Sequence, residues 1–362
     1  ENENYVWSYS YTNLADNVLD VVNKLDTGDS ETPFVFTVDD KDPTGTITVN
    51  ENTWDKILNV LTFGIFSNVK ADVSATYDDE TSPVTVEYYK VTNREAPVVL
   101  SVQKLDELYA EGKFNAYSNF SVTSDEQFVV YLRITDYAGN YIYINSDGAI
   151  VDKVPSAIVI TPENANGLYG LDYENGIKMD ISVTDAEPYS GIKTIDYKVV
   201  MDNDSDNPTQ SGNLYTFNNP APAQADLKNS WTGSITIDPA INNSCNVVVF
   251  VTVTDNAGNT STSSQAIDID VTQPTIEISF NDIKANKIAE DRGYFADQRI
   301  ATVKITERTH HFDATAATNG IVINAVDAKG SAVENAYTIS TWTTVEGRTP
   351  DEATHTATIA FE

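Results

Sequence analysis

One heptapeptide occurs twice: Ile134-Thr135-Asp136-Tyr137-Ala138-Gly139-Asn140 returns as Val253-Thr254-Asp255-Asn256-Ala257-Gly258-Asn259. Pro155 follows Asn140, and Pro274 follows Asn259, at the same separation. Each proline opens an alternating stretch, Ile158-Val159-Ile160 and Thr275-Ile276-Glu277-Ile278, and Pro43-Thr44-Gly45-Thr46-Ile47-Thr48-Val49 is a third such opening. The prolines recur with a period of about 115 residues, the size of one β-sandwich domain. Further pieces keep their order inside the period. Asp72-Val73-Ser74-Ala75-Thr76 matches Asp180-Ile181-Ser182-Val183-Thr184, with Thr302-Val303-Lys304-Ile305-Thr306 as a third copy, and Val86-Glu87-Tyr88-Tyr89-Lys90 matches Ile195-Asp196-Tyr197-Lys198. Such repetition restricts the chain to an array of like units.

Each piece has a mechanical reason. Phe128–Ile134 and Val247–Val253 are rich in β-branched and aromatic residues and predict strands. Asp-x-Ala-Gly-Asn then reverses the chain, because Asp accepts from nearby amides and Gly and Asn tolerate positive φ. Tyr141-Ile142-Tyr143-Ile144 alternates as the returning strand. Two helical insertions are expected in the first full repeat. Trp54, Ile57, Leu58 and Leu61 fall on one helix face, and Leu105, Leu108 and Tyr109 mark a shorter helix. The predicted fold is all-β: tandem immunoglobulin-like β-sandwiches with short helical insertions in the first full repeat.

The expected divisions are 1–42, the tail of a preceding immunoglobulin-like domain plus a linker; 43–153 and 154–272, two complete domains; and 273–362, a C-terminally incomplete one. Thr12-Asn13-Leu14-Ala15-Asp16-Asn17, after the alternating Tyr5–Tyr11, is similar to the hairpin turn of the later repeats. The hairpin that closes the last repeat is expected beyond Glu362. The chain opens at Glu1 rather than Met, so terminal signals are expected to lie outside it.

Charge is one-sided, with 22 Lys and Arg against 54 Asp and Glu and a net charge of −32. Such a surface repels phosphates and anionic lipid heads, which excludes nucleic acid as a partner, and favours cations. No apolar stretch approaches a membrane span, so direct membrane insertion is excluded as well. Hydrophobic residues make up 41% of the chain, enough for packed cores despite the charge. Cys245 is the only cysteine, so no internal disulfide forms, and its strand-like setting predicts a small buried hydrophobe.

Candidate chemistry is sparse. His310 and His311 are adjacent and point to opposite faces of a strand, so they do not share a metal. No hydrolase elbow, zinc-protease helix, phosphate loop or dinucleotide fingerprint is present, and no catalytic or cofactor-binding residue is assigned. Asp202, Asp204 and Asp206 place carboxylates at alternate positions, as at the start of a calcium loop. Asn207, Pro208 and Asn213 depart from the rest of that motif, so a solvated hairpin tip competes with a calcium site there. Asp136 and Asp255 lie near the domain junctions and are further cation candidates, although turn formation already accounts for them. Trp7, Trp54, Trp231 and Trp342, with 19 tyrosines, are read mostly as core and cross-strand aromatics, with a sugar-stacking platform as the alternative.

The Thr-Asp-x-Ala-Gly-Asn string followed by a proline-led strand resembles the bacterial immunoglobulin-like repeats of large Gram-positive cell-surface proteins. Pro43–Val49, Trp54, Thr62–Phe66, Val86–Lys90 and Ser146-Asp147-Gly148 resemble one such repeat type, and Val303–Arg308 with Ser340-Thr341-Trp342 another. The resemblance implies a non-catalytic stalk or spacer of an extracellular, cell-wall-associated adhesin, not an enzyme. Its expected partners are the neighbouring repeats of the same longer chain. The alternative is a module that binds host glycan or protein, accessory to an exported glycan-active enzyme. Internal Lys–Asn isopeptide bonds occur in some related domains, but no residue triad for one is assigned here.

Overall fold

The structure, a computed structural model, describes residues 3–6, 8–12, 18–22, 35–92, 99–308, 311–327, 329–347 and 352–362. Near the N-terminus Glu3–Val6 pairs antiparallel with Val35–Val38, and Ser8–Thr12 pairs with Val18–Val22. The two strands that flank the expected turn therefore pair, while the turn residues and Trp7 lie outside the described residues.

The first sandwich packs two sheets face to face. One orders Phe120–Val122, Ala71–Asp78, Thr44–Val49 and Asn52–Trp54; the other centres on Glu126–Asp136, with Val84–Thr92, Tyr141–Asn145 and Ala149–Val151 beside it. Glu126–Asp136 is buried on both faces, which explains its unbroken apolar run. Phe128, Val130, Leu132 and Ile134 point into the sandwich core, while Val129 and Tyr131 point outward into a second apolar cluster.

That second cluster is where the helical insertion lies. Helix α1, Val102–Ala110, starts at Ser101, whose hydroxyl accepts from the Lys104 amide at 3.2 Å, and buries Leu105 and Leu108 against Tyr131. The other expected helix does not form. Residues 55–64 run as an irregular strap whose amides are bonded by distant groups. Leu58 N donates to Asn145 Oδ1 at 2.8 Å, Thr62 N to Asp147 Oδ1 at 2.5 Å, and Phe63 N to Pro222 O at 2.8 Å. These partners replace the i→i−4 ladder, and Ile57, Leu58 and Leu61 still reach the apolar cluster. Gly148 makes room for the strap, since a Cβ there would lie 2.5 Å from the Phe63 ring.

The second sandwich repeats the plan without an insertion. Ala157–Pro162, Ile177–Thr184 and Ser230–Ile237 form one sheet. Leu168–Tyr169, Thr260–Ile269, Val247–Asp255, Ile192–Met201 and Gln210–Thr216 form the other. Val247–Asp255 alternates buried and half-buried residues because only one face meets the core of Ile177, Met179, Ile195 and their neighbours. The two sandwiches touch directly. Leu227, Tyr189 and Phe217 of the second join the outer cluster of the first, beside Leu61 and Phe63.

In the third repeat Thr275–Phe280, Ile300–Glu307, Ala353–Phe361 and two short strands make one sheet. An unforeseen short helix, α2 at Ala314–Asn319, starts at Asp313 and helps cover Val303, Ile305 and Ile359. Ile276, Ile278 and Phe280 share that inner face by register but remain exposed. In the two preceding sandwiches the corresponding opening strand packs on the hairpin that carries the Asp-x-Ala-Gly-Asn turn.

Candidate functional site

The Asp-x-Ala-Gly-Asn turns form as the sequence predicts. Asp136 Oδ1 accepts from the amides of Gly139 and Asn140 at 2.6 and 2.9 Å, and Asp255 Oδ1 from the amide of Asn259 at 2.9 Å. Gly139 and Gly258 sit at φ of 98° and 93°, where a side chain would be strained. The turns also do something that turn chemistry does not require. Asn140 Nδ2 donates to the carbonyl of Asp39 at 3.1 Å, and Asn259 Nδ2 to the carbonyl of Asp152 at 2.8 Å. Each turn is thus latched to the link that leads into its own repeat. Replacing Asn259 with Ala is expected to remove about 1 kcal/mol from the second repeat, read as a lower urea midpoint with unchanged m. An unchanged midpoint would show that the latch is idle.

The latch brings three carboxylates together at each of two junctions. Asp39, Asp79 and Asp136 form one trio and Asp152, Asp185 and Asp255 the other, each with one ligand oxygen per residue and all within 4.8 Å of one another. In each trio the first Asp comes from the link and the third opens the turn. The second follows the strand residue that pairs with the start of the opening strand, Asp78 with Thr44 and Thr184 with Ala157. Across an ion with bonds of about 2.4 Å, two oxygens lie at most about 4.8 Å apart, so the spacing suits one shared cation. An all-oxygen carboxylate set favours calcium or magnesium over zinc.

The second trio is nearly dry, with Asp152, Asp185 and Asp255 at 0, 2 and 0% exposure. Both oxygens of each carboxylate accept a hydrogen bond, those of Asp255 from Asn259 N and Nδ2. Asp152 accepts from Val154 N and Ser190 N, and Asp185 from Ser156 Oγ and Gly191 N, at 2.8–3.2 Å. Among the described residues no Lys, Arg or His forms an ion pair with any of the six carboxylates. Like charges at this depth are costly. Burial first, and the charge of Asp152 next, push the Asp185 carboxyl up to about 7. Burial also raises Asp255, against the lowering effect of its bonds from Asn259. In the first trio Asp136 is buried but Asp39 and Asp79 are half-exposed, and there the amides of Ser82 and Thr81 hold Asp79 below the usual carboxylate range.

Asp136 and Asp255 thus sit in the trios, while the other residues singled out from sequence lie elsewhere. Asp202, Asp204 and Asp206 sit on an exposed turn, with Asp202 at φ 53°. Asp202 Oδ1 accepts from Ser244 Oγ at 2.5 Å and Asp204 from the Asn207 amide at 3.1 Å, and the three do not form one of the carboxylate trios. Cys245 is half-buried just ahead of Val247–Asp255, rather than within a strand. His355 stacks on Phe312 at 3.8 Å inside the third repeat, and burial lowers its pKa. His310 lies outside the described residues, and His311 binds two aspartates at the third junction. Trp54, Trp231 and Trp342 pack against the cores of successive repeats. Sequence reasoning missed Asp39, Asp79, Asp152 and Asp185. One signal was available: Asp39, Asp152 and Asp270 each stand three or four residues before an opening proline.

No family model matches the chain, and no curated protein matches it. Among solved structures, it is similar to the tetra-tandem repeat in the extending region of a large adhesion protein. That similarity has 15% identity and a TM-score of 0.39, covering 100% of this chain and 82% of the other. A structure from a 1.5-MDa bacterial ice-binding adhesin gives 13% identity and a TM-score of 0.26, covering 84% and 98%. The fibronectin(III)-like modules of Clostridium thermocellum CbhA give 12% identity and a TM-score of 0.23, covering 62% and 94%. The chain's own paired sheets, rather than these distant similarities, define it as a tandem array of immunoglobulin-like sandwiches.

Proposed function

We propose that this chain is a non-catalytic spacer from the stalk of an extracellular, cell-wall-associated bacterial adhesin, and that calcium locks its junctions. The observation that carries the reading is the doubled junction. At two successive links the same turn latches the preceding segment and gathers three carboxylates with which, among the described residues, no Lys, Arg or His forms an ion pair. A cation there ties together the link, the strand end and the closing hairpin, which stiffens the hinge between neighbouring sandwiches. The spacer's partners are then the neighbouring repeats, and its length is its output.

Small-angle scattering with and without chelator tests this. Calcium is expected to sharpen the long-distance part of the pair-distance distribution, and EGTA to broaden it by freeing the hinges. A profile that ignores millimolar calcium would refute the locking. Asp204→Ala is expected to leave the calcium response intact, because the junction trios, not the 202–206 turn, hold the ion. A response lost in Asp204→Ala would return the site to that turn.

A further inference from the structure

The third junction presents counterparts of the first two carboxylates of each trio in a different electrical setting. Thr306 pairs with Thr275 at the start of the opening strand, as Thr184 pairs with Ala157, so Glu307 takes the place of Asp185. Asp152 and Asp270 each follow a strand that runs parallel to a short partner, and their amides donate to Ser67 O at 2.9 Å and Tyr169 O at 2.8 Å. Asp270 is therefore the counterpart of Asp152. The residue after the second carboxylate is Glu80 at the first junction and Ala186 at the second, but Arg308 at the third.

Arg308 is 8% exposed and folds back onto the link. Its Nη1 donates to Ile269 O at 2.5 Å, its Nη2 to Asn243 O and Oδ1 at 2.6 and 2.8 Å, and its Nε lies 3.4 Å from Asp270 Oδ1. His311 approaches from the other side, with Nδ1 2.9 Å from Asp270 Oδ2 and Nε2 3.0 Å from Asp268 Oδ2. Both oxygens of Asp270 thus face cationic or donor groups of the protein itself. The guanidinium is charged at any working pH, and its fork is satisfied by backbone and side-chain oxygens of the preceding repeat.

We infer that Arg308, assisted by His311, is the resident cation of the third junction, which makes that junction independent of divalent ions while the first two depend on them. The inference builds on the calcium reading of the first two trios. A fixed positive charge beside Asp270 both neutralises it and repels an entering calcium ion. The array then combines two successive joints that follow ambient calcium with a third that does not.

Hydrogen exchange on the full chain, in calcium and in EGTA, tests it. Calcium is expected to slow exchange about tenfold or more at 185–191 and 255–259, and to change it less than about twofold at 268–270 and 304–308. A third junction that gains as much protection from calcium as the second would overturn the inference. Calcium without effect at 185–191 and 255–259 would instead overturn the ion reading of the first two junctions. The resident-cation role is then judged by Arg308→Gln in EGTA. That variant is expected to exchange about tenfold faster at 268–270 and 304–307, with 44–151 unchanged. If it exchanges like the parent protein, Arg308 is not holding the junction.

Discussion

Chelation is expected to lower the melting temperature of the second repeat by about 10 °C relative to a calcium concentration of about one hundred times Kd, through about 2.7 kcal/mol of mass action on the folded state. The effect has a defined pH dependence. Asp185 is pushed up to about 7 when folded, from an ordinary value near 3.8. A raised carboxyl contributes stability that is fully present below the unfolded value and is lost as pH rises through the folded one. Without ion, the junction is therefore most stable near pH 4 and weakens towards pH 8. Calcium relieves that weakening by balancing the carboxylates, so the calcium-dependent shift should be small at pH 5 and largest above pH 7. Asp185→Asn removes one of the three like charges. It should raise the melting temperature in EGTA at pH 8 and abolish most of the calcium response. Calorimetry showing the same calcium shift at pH 5 and pH 8, or an undiminished response in Asp185→Asn, would sink the trio as the ion site.

Phe63→Ala is expected to destabilise the first sandwich by about 3–5 kcal/mol and to uncouple it from the second. Phe63 is 1% exposed and packs in the outer cluster that Leu227 of the second sandwich also joins. Its amide donates to Pro222 O across the boundary. Truncation leaves a cavity where the two sandwiches meet, so one cooperative unfolding transition should split into two. The checks are differential scanning calorimetry and urea unfolding followed by tryptophan fluorescence, with Trp54 and Trp231 as probes in different sandwiches. A single transition within about 1 kcal/mol of the parent protein would show that the contact contributes little.

The architecture was legible because it is written locally. The β-branched run Val247–Val253 and the turn string that follows it are short-range signals, and the strand and the turn form as expected. The strap at 55–64 was not legible, because Ile57, Leu58 and Leu61 bear a helical spacing while their amides are claimed by Asn145, Asp147 and Pro222. No window around the strap contains those competitors. The trios fail for the same reason: Asp152, Asp185 and Asp255 lie on three segments far apart in sequence, and only the latch from Asn259 to Asp152 shows why they meet. The carboxylates of Asp202-Asn203-Asp204-Ser205-Asp206 are close in sequence and sit on an exposed turn, whereas those of the trios are brought together by the fold.

The bond from each closing turn to the link before it has a mechanical consequence. Tension pulled along the chain enters the second sandwich through Asp152, and there it meets Asn259 Nδ2 and Ser190 N before any strand ladder is loaded. Those contacts, with the apolar seam of Phe63 and Leu227 beside them, act in series with the sandwiches and are fewer than the bonds of the paired sheets behind them. A stretched array should therefore give first at its joints, lengthening by a small reversible step per junction while every core stays shut. On the calcium reading proposed above, an ion at the trio raises the force at which that step occurs, and ambient calcium would then set the stiffness of the array.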